Sequence, residues 1–130
     1  MANVDIKVFE NISVKEKVVF DRFINENWGE DKPIFLTVPR LWVVGYRRNK
    51  IIGIICVTDN YNIGEINSVV TRIDCRRQGV MSQMLQKFTS EYLPKYKFKS
   101  VIVYNNEKKL DKLFLRVGLF STTTLGTKAL

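Results

Sequence analysis

From Thr71 to Ser82 the chain reads Thr-Arg-Ile-Asp-Cys-Arg-Arg-Gln-Gly-Val-Met-Ser. Two adjacent guanidinium groups, Arg76 and Arg77, stand just before a glycine, Gly79. That grouping suits a phosphate: the guanidinium groups supply charge and hydrogens, and the glycine lets an oxygen approach the backbone. The flanks add to it. Ile66 to Thr71 is an apolar run that predicts a strand, and Met81, Met84, Leu85, Phe88 and Tyr92 recur at helical spacing until Pro94, which predicts a stop. A strand feeding a tight turn and then a helix points the helix's first N–H groups, and its dipole, at whatever lies above the turn. The predicted chemistry is the holding of a pyrophosphate-bearing ligand by Arg76, Arg77, Gln78, Gly79, Val80, Met81 and Ser82. Neither G-x-x-x-x-G-K-[ST] nor G-x-G-x-x-G occurs, so two other phosphate-loop classes are excluded.

Composition sets the frame. The chain has 130 residues, 45% of them hydrophobic and 12% aromatic, which predicts one globular domain over residues 1–130. No histidine is present, which removes His-based triads and most zinc sites, and no metal is expected. Cys56 and Cys75 do not make a disulfide framework. The apolar runs are short, such as Ile51–Val57 broken by Gly53, so no membrane span is expected. The opening MANVDIKVFE lacks a basic start followed by an apolar core, so no signal peptide is expected and the expected compartment is the cytoplasm. The net charge of +8 falls wholly after residue 65, where twelve Lys or Arg face four Asp or Glu. Such a field attracts a multiply phosphorylated cofactor, a nucleic acid or an acidic protein, and charge alone does not choose among them.

The elements that must position the loop follow from pattern. Residues 4–9 alternate and predict an opening strand, and Ser13-Val14-Lys15-Glu16 reads as a capping box for a helix carrying Val14, Val18, Phe20, Phe23 and Ile24. That helix is expected to end near Asn27-Trp28-Gly29, before a loop running to Pro39. Leu41–Arg48 and Ile51–Asp59 predict a hairpin across Asn49-Lys50, and Asn60 to Gly64 predicts a turn. Val101 to Tyr104 predicts a strand parallel to the one before the loop, since a helix separates them. A helix follows, with Leu110, Leu113, Phe114 and Val117 as its stripe and Gly118 as its stop, then a last strand over Leu119–Leu125.

The run Arg76-Arg77-Gln78-Gly79-Val80-Met81 resembles the acyl-coenzyme A loop, R/Q-x-x-G-x-G/A, of the GCN5-related N-acetyltransferases, with Met81 in place of the last Gly or Ala. The element order resembles that family too. So does the late helix, where Phe114 takes the place of the family's tyrosine, Arg116 its basic residue and Gly118 its glycine. The resemblance implies an α/β (α+β) fold with a mixed, mostly antiparallel six-stranded sheet and helices on both faces. The family's seventh strand would be missing, since only Gly126 to Leu130 remain, which implies either an acceptor site more open than usual or a homodimer that covers the bare edge, the second being favoured.

It also implies acetyl-CoA as cofactor and transfer of the acetyl group to an amine by direct attack, with a protein lysine or N-terminus as the expected acceptor and a small-molecule or charged-tRNA amine as the alternatives. The pantetheine arm would pair with Val69, Val70 and Thr71, and a backbone N–H there would polarise the thioester carbonyl. Glu65, eleven residues before Arg76, matches the glutamate base of the histone-acetyltransferase branch, with Asp59 as second choice. The family tyrosine that protonates the departing thiolate is Phe114 here, so Tyr104 is the substitute catalytic donor. A second reading keeps the fold without the catalysis: a silent module that binds an acidic protein or a nucleic acid, tRNA included, through its basic half. No aromatic-rich RNA motif or helix-turn-helix pattern supports nucleic acid.

Overall fold

A computed structural model describes residues 3–28, 39–96, 98, 100–103, 120–121 and 126–129, with backbone alone for residues 60, 67 and those beyond 99. The elements are β1 (Asp5–Phe9), α1 (Val14–Trp28), β2 (Leu41–Arg47), β3 (Lys50–Asn60), β4 (Ile63–Thr71), α2 (Val80–Lys87), β5 (Ser100–Val103), β6 (Phe120–Ser121) and β7 (Gly126–Ala129). They build one seven-stranded sheet in the order β1-β2-β3-β4-β5-β7-β6. Every pairing is antiparallel except β4 with β5, the expected parallel neighbour. Among the described residues no helix is long and apolar enough to cross a membrane.

The two α-helices among the described residues cover opposite faces. Phe20, Phe23 and Ile24 of α1 pack with Trp42, Val44, Ile54 and Val70. Met81, Met84, Leu85 and Phe88 pack on the other side against Ile55, Val57 and Ile66. The capping box forms as expected: Ser13 N–H donates to Glu16 Oε1 at 2.9 Å and Glu16 N–H to Ser13 Oγ at 3.1 Å. α2 does not run straight to Pro94. From Phe88 to Tyr92 it widens into a π turn, then tightens through Leu93–Lys95. Thr89 Oγ1 and Ser90 Oγ donate to the carbonyls of Leu85 and Gln86, at 2.8 and 2.7 Å, and so compete with the regular backbone bonds there.

Three boundaries differ from expectation. The β2–β3 hairpin turns on Arg48 and Asn49, not Asn49-Lys50, with both residues in the left-handed region (φ 53° and 63°). A two-residue turn needs that geometry, and arginine rarely signals it. β4 begins at Ile63, directly after a left-handed pair, Tyr61 and Asn62. Gly64 belongs to the strand: the Phe98 ring lies 3.2 Å from where a Cβ would stand, so its bareness serves packing and not turning. Finally, a seventh strand is present. Gly126–Ala129 pairs with β5 and with the two-residue β6, the described part of the expected Leu119–Leu125 strand. Gly-Thr-Lys-Ala carries no apolar alternation, and its place comes from backbone pairing alone. With β7 along β5, the bare edge that implied a dimer is covered. The expected helix over residues 105–117 lies outside the described residues.

Gly45 and Gly53 face each other across β2 and β3. A Cβ on either would come within 2.6 Å and 2.5 Å, respectively, of Met84 Sδ, which is fully buried. The paired glycines are thus the groove in which α2 seats its thioether. Gly53→Val is expected to destabilise the protein by about 1–3 kcal/mol through overpacking. Pairing it with Met84→Ala, which alone costs about 2–5 kcal/mol, should cost less than the sum, because valine fills the vacated volume. Chemical denaturation of the two single variants and the double variant checks this.

Candidate functional site

Between Cys56 and Val57 of β3, the facing strand β4 skips a residue: Cys56 opposes Ser68 and Val57 opposes Ile66, so Asn67 is left over as a bulge. A bulge bends its strand and steepens the twist. Its effect shows on the other flank. β4 pairs with β5 only as far as Ile66 opposite Val103, while its pairing with β3 runs on to Thr71 opposite Gly53. Among the described residues, Val69, Val70 and Thr71 therefore have a strand on one side only; on the other, the Thr71 carbonyl accepts Arg76 Nε at 3.4 Å. The same bulge turns Glu65 and Ser68, three apart, toward one face, the one covered by α1. Glu65 is half-buried within the strand, opposite Thr58 and Ile102, and does not open the strand as the sequence suggests. Ser68 Oγ on that face is buried beside the Cys56 thiol. Asp59, the second-choice base, is committed elsewhere: it accepts Arg40 Nη1 at 2.8 Å and the Asn62 N–H at 2.9 Å.

Past Thr71 the chain makes a short 3-10 turn, Ile73–Cys75, and then the exposed run Arg76-Arg77-Gln78-Gly79. Arg77 (φ 63°) and Gly79 (φ 78°) are left-handed, and α2 starts at once after Gly79. The first closed turn of α2 is the bond from Gln83 N–H to the Gly79 carbonyl, at 3.1 Å. The N–H groups of Val80, Met81 and Ser82 precede it and have no acceptor within the helix. A Cβ built on Gly79 meets nothing within 4 Å, so the space above it is open. Val80 and Met81 are buried, and Met81, which departs from the small residue usual at its position, sends its side chain into the core, away from that space.

The loop is braced from below. Cys75 is buried, and its N–H donates to the Arg72 carbonyl at 2.9 Å. Arg72 N–H donates to the Ile52 carbonyl at 2.8 Å. The Arg72 guanidinium hydrogen-bonds Asp74, which holds that carboxyl below the usual carboxylate range and keeps the loop's one acid neutralised. Gln78 Oε1 accepts Arg47 Nη1 at 3.1 Å, so the tip of the β2–β3 hairpin stands beside the loop. Asn27, at the end of α1, accepts the Ile73 N–H on Oδ1 at 3.0 Å and takes Arg76 Nη2 on its carbonyl.

Val69 and Thr71 are half-buried and Val70 buried, on the open-flanked end of β4. Gly79 and the N–H groups of Val80, Met81 and Ser82 stand at the start of α2, and the Gln78 side chain just before them bonds Arg47 and the Asp74 carbonyl. Arg77 is exposed and has no hydrogen-bond partner among the described residues. Arg76 departs from expectation: Nη2 and Nε donate to the carbonyls of Asn27 and Thr71, so much of its guanidinium serves the loop itself. Tyr104 and Phe114 lie outside the described residues. Asn27 and Arg47 escaped the sequence reading. Asn27 had a signal, as a polar residue at the next inward position of the stripe Phe20, Phe23, Ile24; Arg47 had none, because its contact lies 31 positions away. The thiol of Cys56 is buried, and desolvation, helped by Asp21, pushes it far above the ordinary thiol range, which leaves it inert as a nucleophile.

The profile of the Acetyltransferase (GNAT) family matches residues 9–119. Among solved structures, an acyl-CoA N-acyltransferase from Pseudomonas aeruginosa superposes with a TM-score of 0.76 at 14% identity, covering 98% of this chain and 100% of that one. Arabidopsis thaliana Naa50, in complex with the bisubstrate analogue CoA-Ac-MVNAL, gives 0.73 at 11% identity, covering 99% and 100%. The catalytic domain of the Tetrahymena GCN5 histone acetyltransferase, in complex with coenzyme A, gives 0.65 at 13% identity, covering 99% and 94%. No curated protein matches the sequence. With the family profile running from β1 to the threshold of β6, over an open-flanked strand that leads into an amide-lined loop, the chain belongs to the GNAT family of acetyltransferases.

Proposed function

We propose that the protein is an N-acetyltransferase that uses acetyl-CoA and acetylates an amine on another protein, a lysine or an N-terminus. The observation that carries this is the open flank of Val69 to Thr71 running into the uncommitted N–H groups of Val80, Met81 and Ser82. That donor set fits a long ligand with an amide-bearing arm and a diphosphate. Bound acetyl-CoA would supply an activated acetyl thioester. Val69, Val70 and Thr71 hold the arm through backbone hydrogen bonds, and a strand N–H donates to the thioester carbonyl as charge develops on it. Gln78, Gly79 and the three helix amides take the diphosphate, with Arg77 adding charge. Glu65, half-buried on β4, is the base offered to the acceptor. Glu65 takes one proton from the incoming ammonium, its nitrogen forms the C–N bond as the C–S bond breaks, and the nitrogen's second proton passes to solvent. A thiol pKa near ~8.5 lets the sulfur depart as thiolate where Phe114 has no proton to give, and Tyr104 is the donor that returns one. The likeness to Naa50 held with a peptide-bearing analogue and to a histone acetyltransferase supports a protein acceptor.

The test is mass spectrometry of lysate proteins incubated with the protein and isotopically labelled acetyl-CoA, with Glu65→Gln as control. Label on lysines or N-termini above the control is expected; equal labelling contradicts the reading. Phe114 favours one competitor, the silent binding module. It predicts no transfer and, for a nucleic-acid ligand, affinity that falls steeply with salt.

A further inference from the structure

Asn27 sits on the inward stripe of the last turn of α1 and is only 7% exposed. A side-chain amide so far from water must find partners inside the protein. Its Nδ2 donates to the Phe23 carbonyl at 2.8 Å, and its Oδ1 accepts the Ile73 N–H at 3.0 Å. Its own carbonyl accepts Arg76 Nη2, while Arg76 Nε reaches back to the Thr71 carbonyl at 3.4 Å. One residue of α1 thus holds both ends of the turn that leads into Gly79. That turn needs holding. Arg77 is a non-glycine residue in the left-handed region, a conformation that persists only where its surroundings impose it.

We infer that Asn27 is the positioning residue of the cofactor loop, and that Arg76 acts as a strut to it more than as a phosphate ligand. The inference rests on the loop being the diphosphate site proposed above. Its physical content is a population: without the clasp the loop relaxes, the fraction with its amides correctly aimed falls, and the apparent dissociation constant rises by the inverse of that fraction. A clasp lost to leucine at position 27 should leave about a tenth of the loops competent, a tenfold rise.

Two variants cut the same bond from opposite ends. Asn27→Leu removes the acceptor. Ile73→Pro removes the donor N–H with little else: Arg72 already has φ −55° and ψ 136°, the conformation favoured before proline, and position 73 opens a 3-10 turn. The Ile73 side chain is 59% exposed, so its loss costs little packing. Calorimetry with acetyl-CoA should show each variant about tenfold weaker than wild type, and the double variant no weaker than either within about twofold, because one interaction is lost once. Asn27→Asp keeps the acceptor oxygen and should stay within about threefold of wild type. Arg76→Lys keeps the charge but not the two-carbonyl reach, so it should lose as much affinity as Arg76→Ala, with the salt dependence of binding unchanged. Wild-type affinity in both Asn27→Leu and Ile73→Pro, multiplicative losses in the double variant, or rescue by lysine at 76 would each overturn the inference. Should Asn27→Leu fail to fold, Ile73→Pro and Asn27→Asp carry the same test. Absence of binding by the wild type rejects the site itself, and binding by wild type and variants alike rejects only the clasp.

Discussion

Replacing Glu65 by glutamine is expected to lower kcat about a hundredfold near neutral pH, with acetyl-CoA affinity within about twofold of wild type. Glutamine keeps the size of the side chain and its place in β4, between Thr58 and Ile102, so the strand and its open flank survive. What goes is the group that can take a proton. A free lysine has a pKa near ~10.4, so only about one molecule in 2,500 is neutral at pH 7, and a base at the site is worth most there. The deficit should shrink as pH rises, because solvent then does the work of the carboxylate, and a pH–rate profile of wild type and variant measures it. The same profile reads the acceptor class. An N-terminal amine, with a pKa near ~7.7–8.0, is already about a tenth neutral at pH 7 and should show a smaller deficit than a lysine. Equal rates across the profile would remove Glu65 from the reaction.

The second large effect is expected at Gly79. Its φ of 78° suits glycine and is strained for a β-branched residue, at a cost of about 1–3 kcal/mol, yet a Cβ there touches no protein atom. Gly79→Val should therefore fold, with a melting point a few degrees lower, and still fail at the cofactor. The new methyl groups stand where a phosphate oxygen must approach the amides of Val80, Met81 and Ser82. Hydrogen bonds to a charged group are worth about 1.5–3 kcal/mol each, so losing one or two corresponds to about a hundredfold in affinity. Gly79→Asn separates the two causes, since asparagine tolerates the left-handed region. If occupancy of the space is what matters, asparagine also weakens acetyl-CoA; if strain alone matters, it binds as glycine does. Thermal shift with acetyl-CoA reads both variants, and an undiminished shift in Gly79→Val would move the diphosphate elsewhere.

What could be read from the sequence was what is local. Ser13 and Glu16 bond to each other's amides within four residues, so the capping box was visible and formed. The strand, turn and helix around Gly79 lie within one stretch of chain, and the loop stands where its residue types placed it. The rest depends on parts of the chain that meet only in the fold. Gly64 reads as a turn residue until the Phe98 ring arrives against it. β7 has no apolar signature and exists through its pairing with β5. Arg76 looks like a phosphate ligand in a string of residues, and the carbonyl of Asn27, 49 positions earlier, gives its guanidinium other work. The bulge at Asn67, which turns Glu65 and Ser68 toward the same face, has no glycine to announce it.

The most direct measurement is a titration of isotopically labelled protein with acetyl-CoA, followed by backbone amide NMR. Saturable shifts confined to Val69, Val70, Thr71 and the run from Gln78 to Ser82, lost in Gly79→Val, are the predicted result. Amides of those residues that stay still at millimolar acetyl-CoA, whether or not others move, would contradict the account.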